Sequence, residues 1–387
     1  MKKNIYFDNA ATTFLDGSVM EAMKPYFDDY FGNPSSIYQY SQASKTAISN
    51  ARDQVANAIG SSSGEVYFTG GGSESDNWAI IGSAFARRNK GNHLITTKFE
   101  HHAVLHTIEY LEKKHGFTVT YLDVDQEGLV DPELFRKSLT PETIFVSVML
   151  ANNEIGTIQP IAKLLRLTKE YNQNILFHTD AVQALGTIPL DVKELGIDLL
   201  TVTAHKAYGP KGVGALYVKK GVVIDNLIHG GGQEKGKRAG TENIAGIVGF
   251  GKAAELFAQN VTERSLKVKE LRDYLAERVT NEIDDIVVNG SMVHRLPGNF
   301  NFSVKRIEGE ALILSLDHYG IAVSSGSACT SGSLDPSHVL LSIGLDHGTA
   351  HGSLRVSLGK DNTKEEVDFF VDKLKMVAEK LRAMSPL

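Results

Sequence analysis

Seven apolar runs of strand length, separated by helical patterns, constrain this chain more than any other feature. The runs are EVYFT (65–69), HLITT (93–97), TVTYL (118–122), TIFVSVML (143–150), NILFHTD (174–180), DLLTVT (198–203) and VGALYV (213–218). Helical patterns at 73–89, 102–115 and 161–171 lie between them. Near-continuous Val, Ile and Leu suits strands buried on both faces. The β-α-β-α order predicts an α/β fold with a mostly parallel sheet and right-handed crossovers. After about residue 251 the texture changes. A long charged helical pattern over 255–282 leads to NFNFSV (299–304), IAVSS (321–325), LRVSL (354–358) and a last amphipathic helix over 364–382. This reads as a smaller α+β domain. NIYFD, near the start, is too short to stand alone. The expected division is a large domain over 16–255 and a small one over 256–387 together with 1–15.

A chain of 387 residues is long enough for two packed domains. Its formal charge of -6 is mild and argues against a general nucleic-acid or anionic-membrane surface. The single cysteine excludes an internal disulfide and any multi-cysteine metal site. Asp8 and Asn9 arrive before a signal-peptide core can form, and no stretch is long and apolar enough to span a bilayer, so a cytoplasmic protein is expected.

Several stretches carry chemistry. GGGSESDNWAI (70–80) follows a strand and opens a helix, so Gly72 and Ser73 can cradle an anion at a helix N-terminus. Taken alone, the stretch is better explained as a glycine turn with Ser73 as the helix N-cap. HTDAVQ (178–183) ends a strand with Asp180, where an α/β sheet places its ligands. In TVTAHKAYGPKG (201–212), Lys206 follows His205 and the hydroxyls of Thr201 and Thr203. Such a lysine can form a Schiff base with a carbonyl when it is partly desolvated. His101, in FEHHAV (99–104), can stack on a planar ring and move protons, whereas His102 should point elsewhere. Phosphate donors, a carboxylate for a ring nitrogen and a lysine for an aldehyde are together the protein side of a pyridoxal 5'-phosphate site.

With these stretches in place, the sequence resembles the cysteine desulfurases of the NifS/IscS kind, which belong to the aspartate-aminotransferase-like enzymes. The resemblance is carried by YFDNAATT (6–13), GNPSS (32–36), GGGSESDN (70–77), EHHAV (100–104), ANNEIG (151–156), HTDAVQ (178–183), AHKAYGPKG (204–212), GGGQEKGKRAGTEN (230–243), SSGSACTSGS (324–333) and LRVSLG (354–359). It implies that Lys206 holds the cofactor, that Asp180 pairs its ring nitrogen and that His101 stacks over it. It places Gln183 and Asn153 near the ring oxygen, and Gly72, Ser73, Thr203 and His205 at the phosphate. Thr241 would reach the phosphate of a neighbouring subunit in a homodimer. Arg355, helped by Asn153, would grip the substrate carboxylate. Two departures stand out. Tyr38 and Ser41 replace a His and a Gly of the family pattern, and Thr203 stands where many relatives have Ser.

Cys329, the only cysteine, sits in the small, polar run SSGSACTSGS, whose composition predicts a mobile loop. The resemblance makes it the nucleophile that takes sulfur from L-cysteine as a persulfide, leaving L-alanine. The sulfur then passes to an acceptor protein, such as an iron–sulfur scaffold. A selenocysteine lyase acting on L-selenocysteine is the nearest alternative; a scaffold that only holds partners is the alternative of another class.

Overall fold

The computed structural model describes residues 4–325 and 336–384, so Cys329 and most of its loop lie outside the described residues. Among the described residues the strands are β1 (Ile5–Tyr6), β2 (Val66–Thr69), β3 (His93–Thr97), β4 (Thr118–Leu122), β5 (Thr143–Ser147), β6 (Leu176–Asp180), β7 (Leu199–Thr203), β8 (Gly214–Val218), β9 (Ile286–Val288), β10 (Asn299–Val304), β11 (Ile321–Ala322) and β12 (Ser353–Ser357). Seven of them form one sheet in the order β2-β8-β7-β6-β5-β3-β4. The pairs β3–β4, β3–β5, β5–β6 and β6–β7 are parallel; β8 runs antiparallel to both of its neighbours.

The side-chain period of two explains why these strands read as unbroken apolar runs. Leu94, Phe145, Leu176, Leu199 and Leu216 enter a core on one face of the sheet, with Trp78, Val104, Ile108 and Leu111 from two helices. Their neighbours Ile95, Val146, Phe177, Leu200 and Tyr217 enter the core on the other face, with Ile48, Leu164 and Phe250. Helix Ile161–Tyr171 buries Ile161, Leu164, Leu165 and Thr168, one face at helical spacing. Helix His102–His115 starts at His101 and ends at Gly116, whose φ of 72° is the left-handed stop that glycine tolerates. Its last turn carries Lys113, Lys114 and His115, which complement the helix dipole.

A second sheet, in the order β12-β10-β9, is antiparallel and pairs Asn301 with Arg355. Its core joins Phe300, Phe302, Leu354 and Val356 to Leu275, Val279, Phe370 and Leu374. β1 pairs β11 in parallel, and Ile5 and Phe7 enter this same core. The N-terminal strand is therefore packed far from its sequence neighbours.

Two expectations need correction. The long helical pattern over 255–282 is two helices, Ile244–Ala258 and Val261–Glu282. Asn260, at φ 55°, adopts the left-handed conformation between them, and this ends one helix and starts the next. Of IAVSS, only Ile321–Ala322 is a strand; Ser324 makes an isolated bridge to Arg355. Among the described residues, no helix is long and apolar enough to cross a membrane.

Candidate active site

β3 has β4 on one side and β5 on the other, so the order of the sheet reverses there. At such a switch point the loops leaving the carboxyl ends of adjacent strands diverge and open a crevice. A cleft of about 480 Å³ lies there, within the usual size range of small-molecule sites. It is lined by Gly72, Ser73, His101, Asn153, Asp180, Gln183, Thr203, His205, Lys206 and Arg355. The chain thus brings together all the expected cofactor and substrate residues except Thr241 and Cys329.

One wall is an anion cup. Helix Gly72–Arg87 starts there after Gly71, whose φ of 152° excludes most side chains. A Cβ on Gly72 would lie 2.9 Å from Val182 Cγ2, so glycine also permits the close approach of helix and strand end. The first amides of any helix lack intrahelical acceptors, so this N-terminus offers donors with a positive dipole end. Thr203 ends β7, buried, and donates to Val213 O at 3.1 Å. His205 Nδ1 lies 3.1 Å from Thr12 Oγ1. Burial, with Lys206 and Lys211 nearby, pushes the His205 pKa down to about 4, so its ring is neutral.

Lys206 closes the short 3-10 turn Ala204–Lys206 that continues β7. Its Nζ donates to Ala10 O at 2.5 Å and to Ala11 O at 2.6 Å. Gln183 Nε2 donates to the same Ala10 O at 3.0 Å, and Thr13 Oγ1 donates to His205 O at 2.9 Å. The N-terminal segment 8–13 is therefore strapped across the strand ends. Tyr208, at φ 57°, turns the chain immediately after the lysine, and its hydroxyl accepts from Lys360 N at 2.8 Å.

Asp180 ends β6, is 5% exposed, and accepts from Val182 N at 2.9 Å. Burial raises its pKa, and Lys206 opposes that rise. A buried carboxylate with one backbone donor is a strong acceptor for a cation. Two further carboxyls, absent from the sequence expectations, lie in the same region. Asp76 lines the cleft with a buried Oδ1 that has no hydrogen-bond partner. Burial, then Asp180, drives its pKa well upward. Glu100 accepts from Thr97 Oγ1 at 2.9 Å and Met149 N at 2.8 Å, and burial pushes it up to about 8. Beside them, His178 lies between the hydroxyls of Ser147 and Thr201, at 2.9 and 3.0 Å, and burial lowers it to about 3.

His101 Nδ1 accepts from Ala103 N at 3.1 Å, as the N-cap of its helix. The proton of the neutral ring is then on Nε2. Burial, then Lys206, lowers its pKa to about 4. His102 does not line the cleft; its ring packs at a tilt against those of His338 and His106, at 4.6 and 4.7 Å between centroids.

Arg355 comes from the other sheet. It is 2% exposed, donates from Nη1 to Asn153 O at 3.0 Å and from Nη2 to Asp8 Oδ1 at 2.7 Å, while its buried Nε has no hydrogen-bond partner among the described residues. Asn153 reaches the cleft because Asn152 holds the turn: its Oδ1 accepts from Glu154 N and Ile155 N at 2.8 and 3.0 Å. The backbone of Arg355 exchanges hydrogen bonds with Ser324, the first residue of the stretch SSGSACTSGS.

Thr241 is exposed and outside its own chain's cleft. Ser41 is buried, with its hydroxyl donating to Ser36 O and Tyr38 O at 2.7 Å, so the turn accommodates the replacement of glycine; Tyr38 is exposed. Asp8 belongs to the quoted stretch YFDNAATT, and its ion pair with Arg355 spans 347 residues of sequence, a distance no local pattern reports.

The donors suit pyridoxal phosphate: an anion cup, an amine, and a buried carboxylate whose raised pKa calls for a cation. The chain belongs to the aminotransferase class-V family, whose pattern matches residues 5–370, and within it to the cysteine desulfurases. It is similar to the cysteine desulfurase IscS of Clostridium botulinum, with 57% identity covering 100% of this chain and 97% of that protein. Among solved structures it resembles a NifS-like protein at TM-score 0.92 and 39% identity, covering 98% of this chain and all of the other. It also resembles a protein described as SspA in complex with cysteine, at TM-score 0.82 and 37% identity, covering 93% and 100% of the two chains. These relatives favour the desulfurase over the selenocysteine lyase.

Proposed function

We propose that the cleft binds pyridoxal 5'-phosphate and L-cysteine, and that the chain moves the substrate sulfur to Cys329. The observation that carries this reading is the gathering of Lys206, Asp180, Arg355 and the helix start at Gly72 around one cleft. Lys206 would hold the cofactor aldehyde, Asp180 the ring nitrogen, and Gly72, Ser73, Thr203 and His205 the phosphate. Asn153 and Gln183 would border the ring oxygen. When bound, the cofactor supplies an electron sink for the substrate α-carbon. Arg355 orients the substrate through its carboxylate. Lys206 Nζ, in the same cleft, would be positioned to take and return protons at the substrate. His101 holds its proton on Nε2 as a neutral imidazole, suited to proton transfer with substrate or thiol. The Cys329 thiolate attacks the substrate sulfur. A sulfur–sulfur bond forms, the carbon–sulfur bond breaks, and its electron pair passes to carbon, which takes a proton. The products are a Cys329 persulfide and L-alanine.

The persulfide would then pass to a sulfur-acceptor protein, an iron–sulfur scaffold being one such partner. Thr241 would complete the site of a second copy of the chain. Its exposure supports this, as does the patch of Phe27, Phe31, Ile37 and Tyr40, 53–97% exposed. The break at Asn260 supports a division into a large and a small domain near residue 255.

Cys329→Ser tests the reading. The variant should bind the cofactor and show its absorbance change with L-cysteine, while alanine formation falls by at least about 10³-fold, because serine is a far poorer nucleophile toward sulfur. The loaded wild type should scatter light as a dimer. Full turnover in Cys329→Ser would refute the persulfide step, and an active loaded monomer would refute the shared site.

A further inference from the structure

Two carboxylates have a claim on Arg355. One is the substrate carboxylate, which has to reach this guanidinium; the other, Asp8, is already there, with its Oδ1 2.7 Å from Nη2. The pair is well shielded on the arginine side, at 3% side-chain exposure, and open on the aspartate side, at 19%. Nη1 is engaged by a neutral carbonyl, Asn153 O, and Nε has no hydrogen-bond partner among the described residues. The other carboxyl near Arg355, Glu154, is buried and accepts from the Ser337 hydroxyl; burial pushes it up to about 7, so it competes weakly for the cation.

From this geometry we propose that Asp8 is a resident carboxylate on the substrate-binding arginine, which substrate and product must displace. The inference rests on the reading of Arg355 as the carboxylate grip. In the resting site Asp8 neutralises the guanidinium and keeps the buried cation paired. An incoming α-carboxylate exchanges with it, and Asp8, on the solvent side, turns outward into water. The exchange sets two charges against one site, so affinity is lowered for every α-carboxylate alike. L-alanine has the same carboxylate as L-cysteine, so the same device keeps the product from lingering.

The test compares L-alanine binding by the holoenzyme, measured by calorimetry, in wild type, Asp8→Asn, Asp8→Glu and Arg355→Ala. Asp8→Asn removes the competing charge and keeps the size, and should bind L-alanine roughly five- to tenfold more tightly, with a matching fall in KM for L-cysteine. Asp8→Glu keeps the charge and should stay near wild type. Arg355→Ala should weaken binding by about 10²-fold or more. Unchanged or weaker L-alanine binding in a folded Asp8→Asn, with Arg355→Ala still defective, would overturn the exchange alone. Undiminished binding in Arg355→Ala would overturn the arginine grip and the exchange with it.

Discussion

The two cations of the cleft are held in opposite ways. Lys206, from the large sheet, donates to two neutral backbone carbonyls, Ala10 O and Ala11 O. Arg355, from the small sheet, donates to the carboxylate of Asp8 as well as to a carbonyl. A carbonyl orients an ammonium without cancelling its charge; a carboxylate does both. The large-sheet side therefore presents its charges to a ligand: an amine on Lys206, a carboxyl on Asp180 with one backbone donor, and a helix start. The small-sheet side presents a charge already spoken for. On the proposed reading the cofactor's place would be preorganised, whereas the substrate's place would be won by exchange, as suits a group that stays against one that comes and goes.

The contrast breaks most visibly at Asp180. Asp180→Asn keeps the Val182 N–H acceptor and removes the negative charge. It should lower kcat/KM for L-cysteine by about 10²–10³-fold and weaken cofactor retention on dialysis. If cofactor and activity both persist, the large-sheet side does not depend on an unpaired charge, and the comparison fails.

A smaller effect sharpens the same comparison below the cleft. Glu100 is fully buried and pushed up to about 8, so the fold keeps it protonated where the unfolded chain does not. Between its ordinary range and about pH 8 the native state binds more protons than the unfolded one. Stability from this group is therefore complete at acid pH and is lost as pH rises through that window. Glu100→Gln removes the titration. Relative to wild type, it should gain about 2–4 kcal/mol between pH 5 and pH 8.5, at ~1.4 kcal/mol per pK unit. Denaturant melts at the two pH values measure it; a constant difference would mean Glu100 is ionised in the fold.

Much of the scaffold was legible because one physical signal repeats. Double-sided burial makes most of β2 to β8 read as apolar runs, edge strand β4 being only partly buried, and each sequence run contains its strand. Helix Gln42–Ala58 gave no comparable signal. Its buried face is Ser44, Ala47, Ile48, Ala51, Val55 and Ala56, mostly small residues that form no apolar run. The continuous pattern over 255–282 hid a break, because Asn260 in the left-handed conformation is polar like its helical neighbours.

In the site, residues at strand ends were readable: Asp180, Thr203, His205 and Lys206 follow from where β6 and β7 stop. Gly72 and Ser73 follow from a glycine turn before a helix. Asp8, Asp76 and Glu100 were not readable. Their significance lies in partners brought from elsewhere in the chain, or in burial that no linear pattern reports. Cys329 lies outside the described residues, and the role proposed for Thr241 would depend on a second chain.

The claim on which the rest depends is that Lys206 is the residue that holds the cofactor. Borohydride reduction of the purified holoenzyme, followed by peptide mapping, tests it directly. The account expects the reduced cofactor on Lys206, the lysine that lines the cleft beside Asp180. A label on Lys211, or on any lysine outside the cleft, would contradict it.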